Sequence, residues 1–240
     1  MAEDLKDKVA VVSGASRGLG RAVALELASR GARVALLARD PDRLGQVAGE
    51  IEDMGASCQT YPCDVAEPES VLSAARGIEG KWGRCDILVN NAGIPAPRGI
   101  DGTDFDEWDR VLRVNLFGAF YLTRALWELL CAGDSGYVIN ISGGAGKRGG
   151  ISPGYGASKF GLEGLTASIA ASGSEQDVRA TALYPGSMDT GWRDAPIGEK
   201  PTREIMDPAE VARFVGYLVT TPKEFVINEA ILNPIAHPWG

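Results

Sequence analysis

The segment from residue 8 to residue 30 constrains the fold of this chain more than any other. Residues 8–12 form a short, largely β-branched apolar run, which is typical of a buried parallel strand. Leu19, Val23 and Leu27 then repeat at helical spacing, so the intervening glycines lie where the strand becomes a helix. Glycines at such a junction allow a tight turn and leave the first N–H groups of the helix free to bind phosphate. The chain is therefore predicted to begin with a nucleotide-binding strand–turn–helix unit, and the alternative is a flexible turn between two core elements.

Composition limits the classes of protein to which the chain can belong. It has 240 residues, 45% hydrophobic and 23% charged, which suits one α/β domain over residues 1–240. The net charge is −8 and the acids are scattered, which argues against nucleic acid or an anionic membrane as a partner. No apolar run resembles a signal core or a membrane span, so we expect a cytoplasmic protein. Four cysteines without paired spacing and one histidine, His237, argue against a metal site and against Ser-His-Asp catalysis.

The residues after the second predicted strand, 33–38, bear on the choice of cofactor. Arg39 follows this strand, where dinucleotide-binding folds contact the adenosine ribose, and Arg17 lies in the glycine turn. Two guanidinium groups near one ribose favour a 2′-phosphate through charge and bidentate geometry, unless Arg39 is a solvated surface charge. The competing acid, Asp40, precedes Pro41 and is predicted to cap the next helix. The sequence therefore favours NADP(H) over NAD(H).

The other predicted strand ends carry polar or small residues. Further strands are predicted over residues 57–63, 86–90, 136–142, 178–184 and 225–232. Open α/β sheets bind ligands at the carboxyl ends of their strands, where Asp64 and Asn91 lie in this chain. One long helix is predicted from about residue 104 to 130, and its Asn115 must either face solvent or join a polar network.

Tyr155 and Lys159 are the residues that point to chemistry. Residues four apart lie on one face of a helix, so the phenol and the ammonium are predicted to be neighbours. A nearby ammonium favours the phenolate and lowers the phenol pKa from its usual value of about 10. The pair is thereby suited to proton transfer near neutral pH.

Together these motifs resemble those of the short-chain dehydrogenase/reductase family over nearly the whole chain. The family's glycine loop, T-G-x-x-x-G-x-G, matches residues 13–20 with serine in place of threonine, and its N-N-A-G matches residues 90–93. Its active-site asparagine falls on Asn115, its Y-x-x-x-K on Tyr155 and Lys159, and its P-G motif on Pro185-Gly186. The resemblance implies a single-domain, doubly wound Rossmann fold with a seven-stranded parallel sheet and helices on both faces.

The resemblance also implies an NADP(H)-dependent carbonyl reductase or alcohol dehydrogenase, active as a homodimer or homotetramer. Tyr155 would be the general acid/base, Lys159 would bind the nicotinamide ribose, and Asn115 would hold a water linked to Lys159. Residues 187–206 are expected to cover a partly hydrophobic substrate, which would lie near Pro95, Ile151, Met188 and Trp192. The residues expected at the cofactor are Gly14, Ser16, Arg17, Gly18, Leu19, Gly20, Arg39, Asp64, Val65, Asn91, Ala92, Gly93, Tyr155, Lys159, Pro185, Gly186, Met188 and Thr190.

One departure from the family pattern affects the substrate side. The family usually has N-I-S-S-x-A-G, whose second serine binds the substrate carbonyl, whereas residues 140–146 read N-I-S-G-G-A-G. Matching the Ala-Gly pair places Gly143 at the serine position, whereas counting back from Tyr155 places Ser142 there. Because a strand keeps its register better than a glycine-rich loop keeps its length, Gly143 is favoured, with Ser142 or Ser152 as candidates to compensate.

Two alternatives to the reductase remain at this stage. The first is an NADP(H)-binding regulator or sensor with little activity, which the glycine at position 143 would explain. The second is a methyltransferase that uses S-adenosylmethionine, which shares the glycine-rich turn but leaves Tyr155 and Lys159 unexplained.

Overall fold

The computed structural model describes residues 5–150, 152–191 and 203–237, and it contains the predicted parallel sheet. The strands are β1 (Val9–Ser13), β2 (Arg33–Ala38), β3 (Cys58–Pro62), β4 (Ile87–Asn90), β5 (Gly136–Ile141), β6 (Val178–Pro185) and β7 (Glu229–Leu232). All neighbours are parallel and the order is β3-β2-β1-β4-β5-β6-β7. The order reverses beside β1, so the carboxyl ends of β1 and β4 border the crevice in which such sheets bind ligands. The doubly wound seven-stranded sheet predicted from the sequence is confirmed.

Helices cover both faces of the sheet. They are α1 (Gly18–Ser29), α2 (Pro41–Asp53), α3 (Pro68–Trp82), α4 (Phe105–Leu112), α5 (Gly118–Cys131), α6 (Ala145–Arg148), α7 (Pro153–Gly173) and α8 (Pro208–Val219). One core lies between the sheet and helices α1, α2 and α8, and the other lies between the sheet and helices α3, α5 and α7. Successive β1 residues alternate between the two, since Val12 belongs to the first core and Val11 to the second. This packing fixes the strand ends that form the crevice.

Local capping agrees with the sequence at the start of α2. The Asp40 carboxylate accepts hydrogen bonds from the backbone N–H groups of Asp42 and Arg43, each at 3.1 Å. Pro41 occupies the first position of the helix, where its missing N–H has no intrahelical partner to lose. The prediction that Asp40 caps this helix is therefore confirmed.

Two predicted elements differ from the structure. The long helix predicted over residues 104–130 is α4 and α5 separated by a π-helical turn, Arg113–Phe117. A π turn adds one residue without ending the helix, so the apolar pattern on either side does not reveal it. The final strand begins at Glu229 rather than at Phe225, because the Phe225 N–H closes a turn by donating to Pro222 O at 3.0 Å. No helix within the described ranges is long and apolar enough to cross a membrane.

Candidate active site

The glycine turn after β1 forms a narrow backbone cradle. Gly14 and Gly18 have φ angles of 64° and 54°, in the left-handed region that favours glycine. A Cβ on Gly18 would lie 2.9 Å from Thr190 Cβ, and a Cβ on Gly20 would overlap Gly14 O and lie 2.5 Å from Asn91 Nδ2. Side chains are thus excluded where the turn meets its neighbours. The N-terminus of α1 remains open to an anionic group.

Hydrogen bonds join this turn to the segment after β4. The Ser13 hydroxyl donates to Val89 O at 3.3 Å and accepts from the N–H groups of Asn91 and Ala92, both at 3.0 Å. The Asn91 amide donates to Ser13 O at 3.0 Å and to Gly14 O at 3.3 Å. Residues 91–93 are therefore held beside the glycine turn. Ser13 was matched to a motif in the sequence but not predicted as a site residue, because its role depends on contacts between strands.

Three arginines border the other end of the crevice. Arg39 is exposed beyond β2, and Arg17 donates to Gly191 O at 3.4 Å. Arg43, which sequence reasoning missed, lies three residues after the cap of α2, and its Nε is 3.3 Å from the Asp40 carboxylate. The three arginines and Asp40 line the same crevice. The Asp40 carboxylate, beside the predicted ribose site, is thus already engaged in capping α2 and in pairing with Arg43. The signal for Arg43 in the sequence was its i, i+3 spacing from Asp40.

Tyr155 and Lys159 lie one turn apart near the start of α7. Lys159 is buried, its ammonium donates to Ile141 O at 2.8 Å, and its Nζ lies 5.6 Å from the centroid of the Tyr155 ring. Burial lowers the pKa of Lys159 to about 8, because the ammonium loses its hydration. Lys159 therefore remains mostly protonated at neutral pH, so a positive charge lies beside the phenol.

Asn115 belongs to a polar network inside the π-helical turn. Its side-chain oxygen accepts from Ile94 N at 2.8 Å, and its amide nitrogen donates to Ile94 O at 3.0 Å and to Ser158 Oγ at 3.2 Å. Ser158 in turn donates to Tyr155 O at 2.8 Å. Of the two environments left open by the sequence, the structure has the network. Asn115 thereby connects the segment after β4 to the helix that carries Tyr155, and the water expected beside it stays a prediction.

The corner after β5 places Gly143, not Ser142, opposite the tyrosine hydroxyl. A Cβ on Gly143 would lie 3.1 Å from the Tyr155 hydroxyl oxygen. The Ser142 hydroxyl is buried and donates to Lys159 O at 3.3 Å, and a Cβ on Gly146 would overlap it. Ser152 donates to Ala96 O, also at 3.3 Å. The structure thus directs Ser142 toward the backbone of α7 and leaves the position facing Tyr155 without a side chain.

The predicted site residues converge on one crevice of about 1630 Å³. Gly20 and Asn115 do not line the crevice. Gly20 packs beneath the glycine turn, and Asn115 is hydrogen-bonded to Ile94 behind the lining residues. His237 lines the crevice and was missed, because the sequence indicated only a position near an exposed terminus. The segment after β7 is held beside the crevice by a hydrogen bond at the end of that strand, in which Gly186 N donates to Leu232 O at 2.7 Å. Within the described ranges no cluster of histidine, cysteine or acidic side chains could hold a metal ion.

The loop predicted to cover the substrate is described only at its two ends. Met188 and Met206 form a parallel bridge, in which Met206 N donates to Ser187 O at 2.9 Å and Asp189 N donates to Met206 O at 3.2 Å. Met188 lines the crevice, and Pro95 is exposed without lining it. Ile151, Trp192 and the remainder of the loop to residue 202 lie outside the described residues.

Comparisons with known proteins agree with this geometry. Residues 8–198 match the family model described as short chain dehydrogenase. An uncharacterized oxidoreductase of Staphylococcus saprophyticus is 33% identical over 238 residues, covering 97% of this chain and 99% of the relative, and one of Staphylococcus aureus strain N315 is 32% identical over 235 residues, covering 96% and 99%.

Two solved structures are similar over almost the whole chain. The first is a metagenomic short-chain oxidoreductase in complex with NADP, with a TM-score of 0.84, 35% identity and coverage of 96% of this chain and 99% of that one. The second is an alcohol dehydrogenase from the archaeon Thermococcus sibiricus complexed with 5-hydroxy-NADP, with a TM-score of 0.90, 29% identity and coverage of 95% and 97%. The glycine cradle, the Tyr155–Lys159 pair and these matches together place the chain in the short-chain dehydrogenase family of oxidoreductases.

Proposed function

We propose that the protein is an NADP(H)-dependent carbonyl reductase, or an alcohol dehydrogenase in the reverse direction, that acts on a ketone or aldehyde. The observation that carries this proposal is the buried Lys159 ammonium, 5.6 Å from the centroid of the Tyr155 ring, in the crevice that also contains the glycine cradle. A phenol beside a fixed positive charge is a proton donor whose conjugate base is stabilised.

The residues of the crevice fit a dinucleotide phosphate. The cradle of Gly14 and Gly18 would hold the diphosphate, and Arg17 and Arg39 would hold a 2′-phosphate. Both of the solved relatives described above contain an NADP compound, which supports the same cofactor in this chain. When bound, NADPH supplies a hydride to the carbonyl carbon and becomes NADP⁺.

The protein's own part in reduction is positioning and proton transfer. As the carbon–oxygen π bond opens, Tyr155 gives its phenolic proton to the carbonyl oxygen, and solvent later restores that proton. Lys159 stabilises the phenolate that remains, since its buried charge is close and poorly screened. Asn115 positions α7 through Ile94 and Ser158, and we propose that it also helps to hold the water that relays the proton.

The Tyr155→Phe variant tests the reaction. It should lose turnover of aldehydes, keto esters, diketones and quinones while NADPH binding stays largely intact, because the proton donor is lost and the glycine cradle is not altered. Turnover is measured as NADPH oxidation and binding by fluorescence titration. Retained turnover in the variant would refute the mechanism, and a wild type that binds NADPH without any turnover would favour the sensor instead.

We further propose that two copies of the chain associate through the outer face of α7 and the neighbouring end of α5. Phe160 is 47% exposed on α7 beside the exposed small residues Gly164 and Ala167, and Phe120 is 49% exposed on α5. Small residues allow two helices to approach closely. In light scattering, Ala167→Glu should lower the mass to that of one chain, and an unchanged mass would contradict this assignment.

The expected environment is that of a small-molecule enzyme in the cytoplasm. The net charge of −8 supports a carbonyl or alcohol substrate over nucleic acid or an anionic membrane surface as the partner.

A further inference from the structure

We propose that Gly143 makes the enzyme selective for electrophilic carbonyl groups, namely aldehydes, adjacent diketones and quinones, over unactivated ketones. This inference rests on the proposed reductase function and concerns the polar groups that contact the carbonyl oxygen. Tyr155 provides one hydrogen bond to that oxygen. The residue that faces the tyrosine hydroxyl has no side chain with which to provide a second.

The geometry opposite Tyr155 shows that position 143 adjoins the reacting oxygen. A Cβ there would be 3.1 Å from the Tyr155 hydroxyl oxygen, whereas its next neighbour, Pro185 O, would be 4.0 Å away. A distance of 3.1 Å is tighter than most Cβ contacts, so any side chain would require a small movement of the phenol. The Tyr155 hydroxyl can therefore occupy its present position because residue 143 has no side chain.

The serine hydroxyls closest to this corner in the sequence are directed elsewhere. Ser142 donates to Lys159 O, Ser152 donates to Ala96 O, and Ser158 donates to Tyr155 O. Each hydroxyl has one proton, and in each case that proton is given to a backbone carbonyl. None of these three serines supplies the hydrogen bond that Gly143 lacks.

The missing hydrogen bond matters most for a poorly electrophilic substrate. Negative charge develops on the carbonyl oxygen as hydride adds to the carbon and before the proton from Tyr155 has fully transferred. One preorganised donor to such an oxygen contributes a factor of about 10² to 10³ in rate. A second carbonyl or an aromatic system next to the reacting group withdraws part of that charge, so an activated substrate depends less on the donor.

The test compares butanedione with butanone, which have similar size, in the wild type, Gly143→Ala and Gly143→Ser. Alanine and serine make the same Cβ contact with Tyr155, so the serine-to-alanine ratio of kcat/KM isolates the hydroxyl. We expect that ratio to be on the order of 10² to 10³ for butanone and at least tenfold smaller for butanedione. A ratio that is equal for the two substrates would overturn the inference. Fluorescence titration should give the same NADPH affinity for all three proteins.

The wild type alone provides a second measurement that does not depend on either variant folding. Its kcat/KM for para-substituted acetophenones should rise by about tenfold or more from the methoxy to the nitro compound, since the substituent takes up charge that no side chain at position 143 stabilises. A flat series would overturn the inference while leaving the reductase intact. Absence of turnover with every aldehyde, diketone and quinone would instead refute the proposed function itself.

Discussion

Lys159→Met should stabilise the protein when no cofactor is bound. Lys159 is 3% exposed, and burial lowers its pKa from 10.5 to about 8. At 1.36 kcal/mol per pKa unit, holding the ammonium in this site costs about 3 kcal/mol at neutral pH. Methionine has a similar length and no charge to desolvate. The bond from Lys159 to Ile141 O is lost in the variant, so about 3 kcal/mol is the upper limit of the gain.

The predicted gain depends on pH, with a sign that follows from proton binding. In the unfolded chain Lys159 holds its proton up to pH 10.5, and in the folded chain only up to about pH 8. Between these values the unfolded state binds more protons, so wild-type stability rises with pH relative to the variant. Below pH 8 both states are protonated and the penalty is constant. The advantage of Lys159→Met is therefore full at pH 7 and declines toward pH 10.5.

Urea unfolding of both proteins from pH 7 to pH 10, without cofactor, measures this difference. Subtracting the two curves at each pH cancels the groups that titrate alike in both. Lys159→Arg is the matched control, because arginine stays charged throughout this range and should show no such gain. A variant that is less stable than the wild type at pH 7, or a difference that does not change with pH, would refute the reasoning. The stable variant should be inactive, because the proposed mechanism needs a positive charge beside the Tyr155 phenolate.

Three further predictions concern the cofactor and the packing around it. Arg39→Ala should lower the NADPH-to-NADH ratio of kcat/KM by about tenfold or more, and Arg43→Gln should lower it in the same direction. Each removes a cation from the end of the crevice where the 2′-phosphate is proposed to bind, and an unchanged ratio would reject NADP(H) preference. Gly20→Ala should weaken NADPH binding in fluorescence titration, because its Cβ would overlap Gly14 O and displace the turn, whereas Gly49→Ala, whose Cβ meets nothing within 4 Å, should not. Lys147→Gln leaves Glu163 and Glu229, each 2.7 Å from the present ammonium, to repel one another. The variant should have a Tm lower by a few degrees, which corresponds to a loss of about 1 kcal/mol or less, and Lys147→Arg should not.

The end of the crevice formed by the glycine turn was predictable because its geometry is local. The spacing of the glycines between β1 and α1 determines the turn, and Asp40 before Pro41 determines the start of α2. Parallel strands place their carboxyl ends at the same edge, so Asp64 and Asn91 could be assigned to the crevice without any knowledge of distant contacts.

The features that the sequence did not reveal depend on packing between distant segments. Asn115 was left between solvent and a network, because its partners Ile94 and Ser158 lie 21 and 43 residues away. The π-helical turn that carries it adds one residue within a helix whose apolar pattern continues on both sides. His237 reaches the crevice only because β7 lies beside β6.

The sequence left Gly143 and Ser142 as two matches to the family's serine, and one packing contact of β5 decides between them. Along β5, side chains alternate between the two faces of the sheet. Asn140 faces α7, where its amide donates to Thr166 Oγ1 at 2.8 Å, so Ser142, two residues later, must face α7 as well. Its bond to Lys159 O follows from that register. Gly143 is then the first residue after β5 that can lie opposite the Tyr155 hydroxyl. Knowing which helix covers Asn140 is therefore sufficient to decide which residue faces the Tyr155 hydroxyl.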